Sequence, residues 1–228
     1  MQAIVLAGGL GTRLRDVVPE LPKPMAPVAG RPFLAWVLDR LVAAGFEQAV
    51  LAVGYRHEVI SQHFGDDFGG MALRYSVEPS ALGTGGALRL AAASVTRWPV
   101  FVLNGDTCVD LDYREMHRAH VAGGERMSLA VSSVGDAARY GAIDVHEGHV
   151  RGFHEKGRLG PGLINAGVYL LSADIVQSIP AGQPYSFEQQ LLVPQVAAIH
   201  PAAFLTKSLF IDIGVPEDYA RAQQLFAR

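Results

Sequence analysis

Cysteine is almost absent from this chain of 228 residues, which contains Cys108 alone. A single cysteine cannot form a disulfide within the chain, and it cannot supply a cysteine-rich zinc site. The eight histidines show no HxH or HExxH spacing, and three of them fall in a predicted hairpin, at His146, His149 and His154. We therefore expect neither a disulfide scaffold nor a zinc centre.

Long apolar runs and a strong charge of either sign are also missing. Apolar residues make up 50% of the chain, but no stretch approaches the roughly 18 residues of a membrane span. The amino terminus is apolar without the basic leader of a signal peptide, and Gly8 and Gly9 interrupt it. The formal net charge of -3 gives no reason to expect nucleic acid as a partner. These absences predict a cytoplasmic protein that binds neither membranes nor nucleic acid.

What the first half of the chain does contain is a regular alternation of two patterns. Short apolar runs, typical of buried parallel strands, alternate with longer segments that repeat at helical spacing. The predicted strands cover residues 3–6, 49–53, 72–77 and 100–103. The predicted helices cover residues 32–44, 58–64 and 84–93, the last with Thr84 as its cap. This alternation is typical of an α/β fold with a parallel sheet.

The second half of the chain has more closely spaced strands. They are predicted at 127–134, 141–145, 150–154, 164–171 and 210–213, with a hairpin turn at Glu147–Gly148 and a closing helix at 216–226. The sequence thus predicts one domain over residues 1–228, built on a doubly wound, mostly parallel, Rossmann-like mixed sheet flanked by helices. A nucleotide-binding half would end near residue 110, and a smaller β-rich region would follow, with a cleft between them.

A glycine-rich loop follows the first predicted strand. Gly8, Gly9 and Gly11 let the main chain approach a phosphate closely, and Arg13 adds a permanent cation. A tight turn with a surface arginine is the alternative interpretation. The dinucleotide-binding fingerprint fits poorly because Leu14 stands where its third glycine belongs, and the P-loop pattern is absent.

Lys23 stands between two prolines, Pro22 and Pro24. Proline restricts its own backbone and that of the residue before it, so this lysine side chain has a defined direction. On this evidence alone an ordinary surface lysine remains an equal alternative.

Together, the loop Leu-Ala-Gly-Gly-x-Gly-Thr-Arg-Leu and the following Pro-Lys-Pro closely resemble the signature of nucleotidyltransferases that act on sugar 1-phosphates. The resemblance spans nearly the whole chain in family order. It continues through 83–87, 104–106, 140–141, 155–156, 165–169 and 211–214. Within the family the chain most resembles the D-glycero-D-manno-heptose 1-phosphate guanylyltransferases, on the grounds of residues 54–58, 82–87 and 210–219.

The resemblance implies roles for individual residues. Catalytic roles fall on Arg13, Lys23 and Lys156. Nucleotide-binding roles fall on Leu6, Ala7, Gly8, Gly9, Gly11, Thr12, Glu78, Gly83, Thr84, Asn104 and Gly105. Sugar-binding roles fall on Tyr140, Gly141, Glu155, Asn165 and Gly167. Among the nucleotide-binding candidates, Glu78 suits guanine because a carboxylate accepts from the two adjacent donors of that base. A solvated loop acid is an equal alternative for Glu78.

Two pairs of aspartates are candidates for a metal site. Asp106 ends an apolar strand and Asp212 lies within an apolar run, where a carboxylate is costly unless paired or coordinated. The resemblance implies that these two hold Mg²⁺ on the nucleotide phosphates, whereas a turn residue and a structural ion pair are the alternative. Asp110 and Asp112 form the Asp-x-Asp of many glycosyltransferases, but Asp112 also fits a helix cap, which we favour.

The resulting hypothesis is a nucleotidyltransferase that joins a nucleoside triphosphate to a sugar 1-phosphate and releases pyrophosphate. The favoured substrates are GTP and D-glycero-D-manno-heptose 1-phosphate, giving GDP-heptose for surface glycans. A uridylyl- or thymidylyltransferase acting on a hexose or amino-sugar 1-phosphate is the alternative within the family. A metal-dependent glycosyltransferase and a non-catalytic nucleotide-sugar sensor are the alternatives outside it. The oligomeric state stays open, a homo-oligomer included.

Overall fold

The computed structural model describes residues 1–9, 14, 18, 21–154, 157, 159–206 and 209–227. The strands in chain order are β1 (Gln2–Leu6), β2 (Pro27–Val28), β3 (Arg31–Pro32), β4 (Gln48–Val53), β5 (Asp67–Phe68), β6 (Met71–Val77), β7 (Val100–Asn104), β8 (Thr107–Val109), β9 (Met127–Val134), β10 (Ile143–His146), β11 (His149–Phe153), β12 (Gly162–Leu171), β13 (Ala202–Thr206) and β14 (Phe210–Asp212). The helices are α1 (Phe33–Ala43), α2 (His57–Phe64), α3 (Gly83–Ala91), α4 (Tyr113–Gly123), α5 (Ala173–Gln177), α6 (Val193–Ile199) and α7 (Pro216–Phe226).

Ten of the described strands form one sheet, in the order β10-β11-β13-β9-β12-β7-β1-β4-β6-β5. In its amino-terminal part, β7, β1, β4 and β6 run parallel, and helices connect them along the chain. Parallel strands covered on both faces are apolar throughout, which is why these runs were predictable. The predicted mixed α/β sheet is confirmed, with element ends within about two residues of the predicted ones.

The carboxy-terminal part of the sheet is mainly antiparallel. β12 runs antiparallel to both β7 and β9, so it joins the two parts of the sheet. At the outer edge, β10 and β11 form the predicted hairpin. Its turn residues, Glu147 and Gly148, have φ values of 50° and 76°. Two consecutive positive φ values fit the tight turn whose twist matches that of paired strands.

Two apolar cores lie on the two faces of this sheet. Along β1, Ala3 and Val5 belong to one core and Ile4 to the other, as the period of two in a strand requires. Helix α1 covers the first face, and α3 covers the second, where Leu88 is fully buried. Burial of each large apolar side chain stabilises the fold by about 1.5–3 kcal/mol.

The structure corrects one predicted helix cap and confirms another. Thr84 lies inside the first turn of α3, and its hydroxyl oxygen accepts from the amide of Phe187 at 3.0 Å. The helix instead begins at Gly83, whose φ of 68° few other residues adopt easily. Asp112 caps α4 as predicted, because its carboxylate accepts from the amide of Glu115 at 2.8 Å.

Helix α7 holds the segment that follows Lys23. The side chains of Tyr219 and Gln223 both donate to the carbonyl of Pro27, each at 2.6 Å. The ring of Phe226 packs on Trp36 of α1 at 4.7 Å between centroids. These contacts tie the end of the chain to its amino-terminal half.

No helix among the described residues is both long enough and apolar enough to cross a lipid bilayer.

Candidate active site

A cavity of about 310 Å³ lies beyond the carboxyl ends of β1, β4 and β7. Open α/β sheets bind their ligands at this edge. It is lined by Leu6, Ala7, Gly8, Gly9, Lys23, Pro24, Ala52, Glu78, Ala81, Gly83, Thr84, Ala87, Asn104 and Asp106. All of these except Pro24, Ala52, Ala81 and Ala87 carry roles in the sequence hypothesis. The structure therefore brings most of the described nucleotide-site candidates together around one space.

Close contacts between main-chain segments form one wall of this cavity. The amide of Gly105 donates to the carbonyl of Leu6 at 2.9 Å. A side chain at position 105 would place its Cβ only 2.8 Å from the same oxygen. The turn after β7 can therefore cross the end of β1 only because glycine stands there. Three candidates from the same loop, Gly11, Thr12 and Arg13, lie outside the described residues.

Lys23 links two acidic side chains at the edge of the cavity. Its ammonium lies 2.5 Å from Asp106 and 3.9 Å from Asp212. The side chain of Lys23 is 11% exposed and those of Asp106 and Asp212 are 34% and 32% exposed, so solvent screens these contacts in part. The turn after β7 supplies Asp106 and β14 supplies Asp212, so the pairing of β14 with β8 brings the acids together.

The electrostatics of Asp212 reflect this crowding. Burial raises the pKa of Asp212, and the nearby charge of Asp106 raises it further. The ammonium of Lys23 and the amide of Gly214 oppose the rise in that pKa, the amide donating to the carboxylate at 2.5 Å. Two close carboxylates in a partly buried site favour a cation between them.

The donor set fits a hard divalent cation such as Mg²⁺. Within the described ranges, no group of three or more His, Cys, Asp or Glu side chains could hold a metal by itself. Asp106 and Asp212 are a pair of oxygen donors beside a cavity with main-chain amides. Magnesium is commonly held by one or two carboxylates together with substrate phosphates and water, so these residues fit that ion.

Glu78 is held in place at the end of β6. One oxygen of its carboxylate accepts from the amide of Leu82 at 2.9 Å. The other faces two glycines, since a Cβ at Gly54 would lie 2.4 Å from it and a Cβ at Gly8 2.9 Å. Glu78 is therefore a seated, half-buried carboxylate at the cavity rather than a freely solvated one. The part played by Gly54 was not foreseen, because a glycine after a strand is also an ordinary turn residue.

The first turn of α3 is held by a main-chain carbonyl from a distant part of the chain. The amides of Gly85 and Gly86 both donate to the carbonyl of Tyr185, at 2.8 and 3.2 Å. A Cβ at Gly83 would lie 2.9 Å from the same carbonyl oxygen. Sequence reasoning missed this anchor because Tyr185 acts through its main chain, which leaves no residue-type signal.

Asn165 and Gly167 lie at an interruption of β12. The pairing of β12 with β9 is irregular between Asn165 and Tyr169, and Gly167 has a φ of 69°. A Cβ at Gly167 would lie 2.7 Å from the side-chain nitrogen of Asn104. Since Asn104 lines the cavity, the interruption brings this part of β12 to the cavity wall.

Tyr140 points toward a different space. Its hydroxyl donates to Asp218 at 3.1 Å, and Arg139 forms an ion pair with the same carboxylate at 2.7 Å. Burial, followed by the charge of Asp218, raises the pKa of Tyr140 to about 12. Tyr140 and Asp218 line a second cavity of about 620 Å³, together with Arg139 and Arg221. Sequence reasoning missed Asp218, because an acid in a first helical turn normally needs no further partner.

Gly141 packs against the end of the neighbouring hairpin. It has a φ of 82°, and a Cβ there would lie 2.8 Å from the carbonyl oxygen of His154. Two further sugar-site and catalytic candidates, Glu155 and Lys156, lie outside the described residues. The next described residue, Gly157, donates from its amide to the carbonyl of Ala138 at 2.8 Å.

The alternative Asp-x-Asp metal site is not formed. Asp110 forms an ion pair with Arg40 at 2.9 Å, and Asp112 serves as the cap of α4. Both line a third cavity, which has no lining residue in common with the first. The preference for the cap interpretation is confirmed.

The chain matches known proteins over nearly its whole length. The family model described as "Nucleotidyl transferase" matches residues 2–228. The D-glycero-alpha-D-manno-heptose 1-phosphate guanylyltransferase of Aneurinibacillus thermoaerophilus is 40% identical over 224 residues, covering 98% of this chain and 97% of that protein. The protein of the same name from Campylobacter jejuni is 40% identical over 220 residues, covering 96% of this chain and 97% of that protein.

A solved structure extends the similarity to the fold. HddC from Yersinia pseudotuberculosis, complexed with GMP-PN, superposes with a TM-score of 0.88 and 36% sequence identity. The match covers 99% of this chain and 99% of that chain.

Proposed function

Because the chain belongs to the nucleotidyl transferase family, we propose that it transfers the guanylyl group of GTP to D-glycero-D-manno-heptose 1-phosphate. The products are GDP-heptose, a building block for surface glycans, and pyrophosphate. Relatives that carry this activity in their names are 40% identical over nearly the full length, which supports the substrate pair. The observation that carries the proposal is the contact of Lys23 with Asp106 and Asp212 at the edge of a nucleotide-sized cavity.

The reaction needs no nucleophile from the protein. A phosphate oxygen of the sugar 1-phosphate forms a bond to the α-phosphorus of GTP, and the bond from that phosphorus to the β-phosphate oxygen breaks. The electron pair of the broken bond leaves with pyrophosphate. Since the attacking phosphate is already anionic, catalysis consists of alignment and charge neutralisation.

Cations from three parts of the chain serve this alignment. Lys23, next to the cavity, neutralises charge on the α-phosphate as the new bond forms. Arg13 acts on the leaving pyrophosphate and Lys156 on the attacking phosphate, and both assignments rest on the sequence motifs. The amides of Gly8 and Gly9 offer additional donors to phosphate oxygens.

Asp106 and Asp212 would hold Mg²⁺ at the carboxyl end of the sheet. When bound there, the ion supplies positive charge to the nucleotide phosphates. The two acids also act on Lys23, because their charges hold its ammonium at the cavity edge.

Glu78 is the residue that we assign to the guanine base. Guanine presents a ring N–H and an exocyclic amine side by side, which match the two acceptor oxygens of a carboxylate. Uracil and thymine present a single N–H, so they would leave an acceptor unpaired. The seating of Glu78 on Leu82 and beside two glycines supports this role, because a fixed acceptor discriminates better than a mobile one.

The sugar is assigned to the region around β12. Gly167 lies against Asn104, which lines the cavity, and Asn165 precedes Gly167 by two residues. The sequence motifs also assign Tyr140, Gly141 and Glu155 to the sugar, but the side chain of Tyr140 lines the second cavity and Glu155 lies outside the described residues. The side chain of Tyr140 contributes by holding the turn that contains it, because its hydroxyl donates a hydrogen bond to Asp218.

One experiment tests the proposal directly. The protein is incubated with Mg²⁺, each nucleoside triphosphate in turn and a panel of sugar 1-phosphates, and pyrophosphate release is measured. GTP with D-glycero-D-manno-heptose 1-phosphate should give the highest kcat/KM. Faster release from UTP or dTTP with a hexose 1-phosphate would overturn the substrate assignment. No release from any pair would favour the glycosyltransferase or the sensor.

A further inference from the structure

The amide of Asn165 is held at both ends. Its side-chain oxygen accepts from the amide of Gly167 at 2.9 Å, and its side-chain nitrogen donates to the hydroxyl of Tyr169 at 2.7 Å. A main-chain amide can only donate, so the oxygen of Asn165 must face Gly167 and its nitrogen must face Tyr169. The orientation of the amide group is therefore fixed by the protein itself.

The contact between Asn165 and Tyr169 requires the interruption in β12. In a regular strand, residues four apart are separated by about 13 Å along the chain, so their side chains do not share a hydrogen bond. Here the pairing with β9 breaks between these two residues, and Gly167 has a positive φ. The bend brings the hydroxyl of Tyr169 back to Asn165.

Tyr169 is itself firmly placed. It is 4% exposed, and its ring meets Phe187 edge to face at 5.0 Å between centroids. The amide of Phe187 donates to Thr84, which lines the nucleotide cavity. Burial raises the pKa of Tyr169 far above its usual range, so the hydroxyl stays neutral. A buried and neutral hydroxyl is a constant acceptor for Asn165.

We propose that Tyr169 is a positioning residue for the sugar 1-phosphate, acting through Asn165. Its hydroxyl holds the amide so that the second N–H of Asn165 and the free lone pair of its oxygen meet hydroxyl groups of the sugar. A side chain already held in its binding conformation loses less freedom when the ligand arrives. This inference rests on the proposed assignment of Asn165 to the sugar, and Tyr169 itself touches no reacting atom.

The substitution Tyr169→Phe removes the hydroxyl and keeps the ring on Phe187. The KM for heptose 1-phosphate should rise about three- to tenfold, in line with the loss of one neutral hydrogen bond. The KM for GTP and kcat should stay within about twofold, because the nucleotide contacts remain. A merely structural role would instead lower the melting temperature without this selective rise in KM.

Tyr113→Phe is the matched control. Tyr113 is also buried, at 3% exposure, and its ring packs on Phe46 and Phe101 in the opposite core. This control removes the hydroxyl of a buried tyrosine that belongs to the other core. It should therefore leave the KM for the sugar 1-phosphate unchanged. Melting temperatures of both variants are measured alongside.

A double-mutant cycle separates this inference from the proposed function. Asn165→Ala should raise the sugar KM, and Tyr169→Phe in that background should add no further effect. If Tyr169→Phe leaves the wild-type sugar KM unchanged, or raises it equally in both backgrounds, Tyr169 does not act through Asn165. If Asn165→Ala itself leaves the sugar KM unchanged, the sugar assignment fails, and the positioning role fails with it.

Discussion

The two regions that we assign to the nucleotide and to the sugar are built in different ways. At the nucleotide end, main-chain groups and glycines meet at the carboxyl ends of parallel strands. Gly105 crosses β1, and the segment from Gly83 rests on the carbonyl of Tyr185. At the proposed sugar end, Gly141 and Gly167 also stand at close approaches, but side chains hold the polar groups in place, as in the pairs Asn165 with Tyr169 and Tyr140 with Asp218.

This difference affects how well each region tolerates substitution. At Gly83 and Gly105 the neighbouring main chain leaves no room for a Cβ, so substitutions there disturb the shape of the nucleotide cavity. A site oriented by side chains can change one contact while the sheet beneath it stays intact. We infer that sugar preference is the more easily altered property of this fold and that nucleotide transfer is the less easily altered one.

The largest expected effect is that of Lys23→Met at the nucleotide end. The substitution removes the cation that we assign to the α-phosphate, and kcat should fall roughly 10²–10³-fold, by analogy with loss of one oxyanion donor. Steady-state pyrophosphate release measures the change. Arg118→Met, which alters a cation 72% exposed on α4, is the control and should keep normal turnover. Near-normal turnover in Lys23→Met would remove Lys23 from the mechanism.

Gly54→Ala should act on base selection. The added Cβ would lie 2.4 Å from the Glu78 carboxylate, which can move because it ends a flexible side chain. The fold should therefore survive, while kcat/KM for GTP falls about tenfold and its advantage over ITP, which lacks the exocyclic amine, shrinks.

Gly152→Ala is the control for this comparison. A Cβ at Gly152 meets only Asp144, at an ordinary 3.8 Å, in the hairpin of β10 and β11, and Gly152 does not line the nucleotide cavity. Gly152→Ala should leave kcat/KM for GTP and for ITP unchanged. An unchanged ratio of kcat/KM for GTP over ITP in Gly54→Ala would contradict the seating of Glu78.

Asp218→Asn should have a smaller effect, at the sugar end. The charge partner of Arg139 is lost, while the new amide oxygen can still accept from Tyr140. The sugar KM should rise about threefold and the free energy of unfolding should fall by about 1 kcal/mol, a modest value because Arg139 is 46% exposed.

Substrate titration and denaturant unfolding measure the two effects of Asp218→Asn. Asp174→Asn, at a surface pair with Arg126, is the control and should change neither substrate KM. A rise in the KM for GTP that equals the rise for the sugar would contradict a local role for Asp218.

Asp110→Asn should have the smallest effect. Asp110 pairs with Arg40 at a cavity separate from the first, so kcat/KM should stay within about twofold. A loss of more than tenfold would revive the glycosyltransferase alternative.

Much of the parallel sheet could be predicted because burial on both faces leaves wholly apolar runs. β13 could not, since its short, half-exposed sequence gains strand character only from pairing with β9 and β11. The short β8 exists through its pairing with β14. In such elements tertiary pairing decides the conformation, which local pattern does not encode.

Some residues of the candidate site could also be predicted from the sequence, and others could not. The meeting of Lys23, Asp106 and Asp212 could be expected from a recognisable motif order, because each belongs to a motif of its own. The roles of Gly54 and Asp218 depend on contacts across the fold. Tyr169 lies only four residues from Asn165, yet their contact depends on a break in strand pairing that the sequence pattern does not reveal.

The central claim is a direct transfer between two substrates held at opposite ends of one cleft. The most direct test uses GTP carrying a sulfur of defined configuration on the α-phosphorus, together with heptose 1-phosphate and Mg²⁺. Direct in-line attack predicts that the GDP-heptose analogue forms with inversion at that phosphorus. Retention would require an intermediate bound covalently to the protein, and would contradict the account.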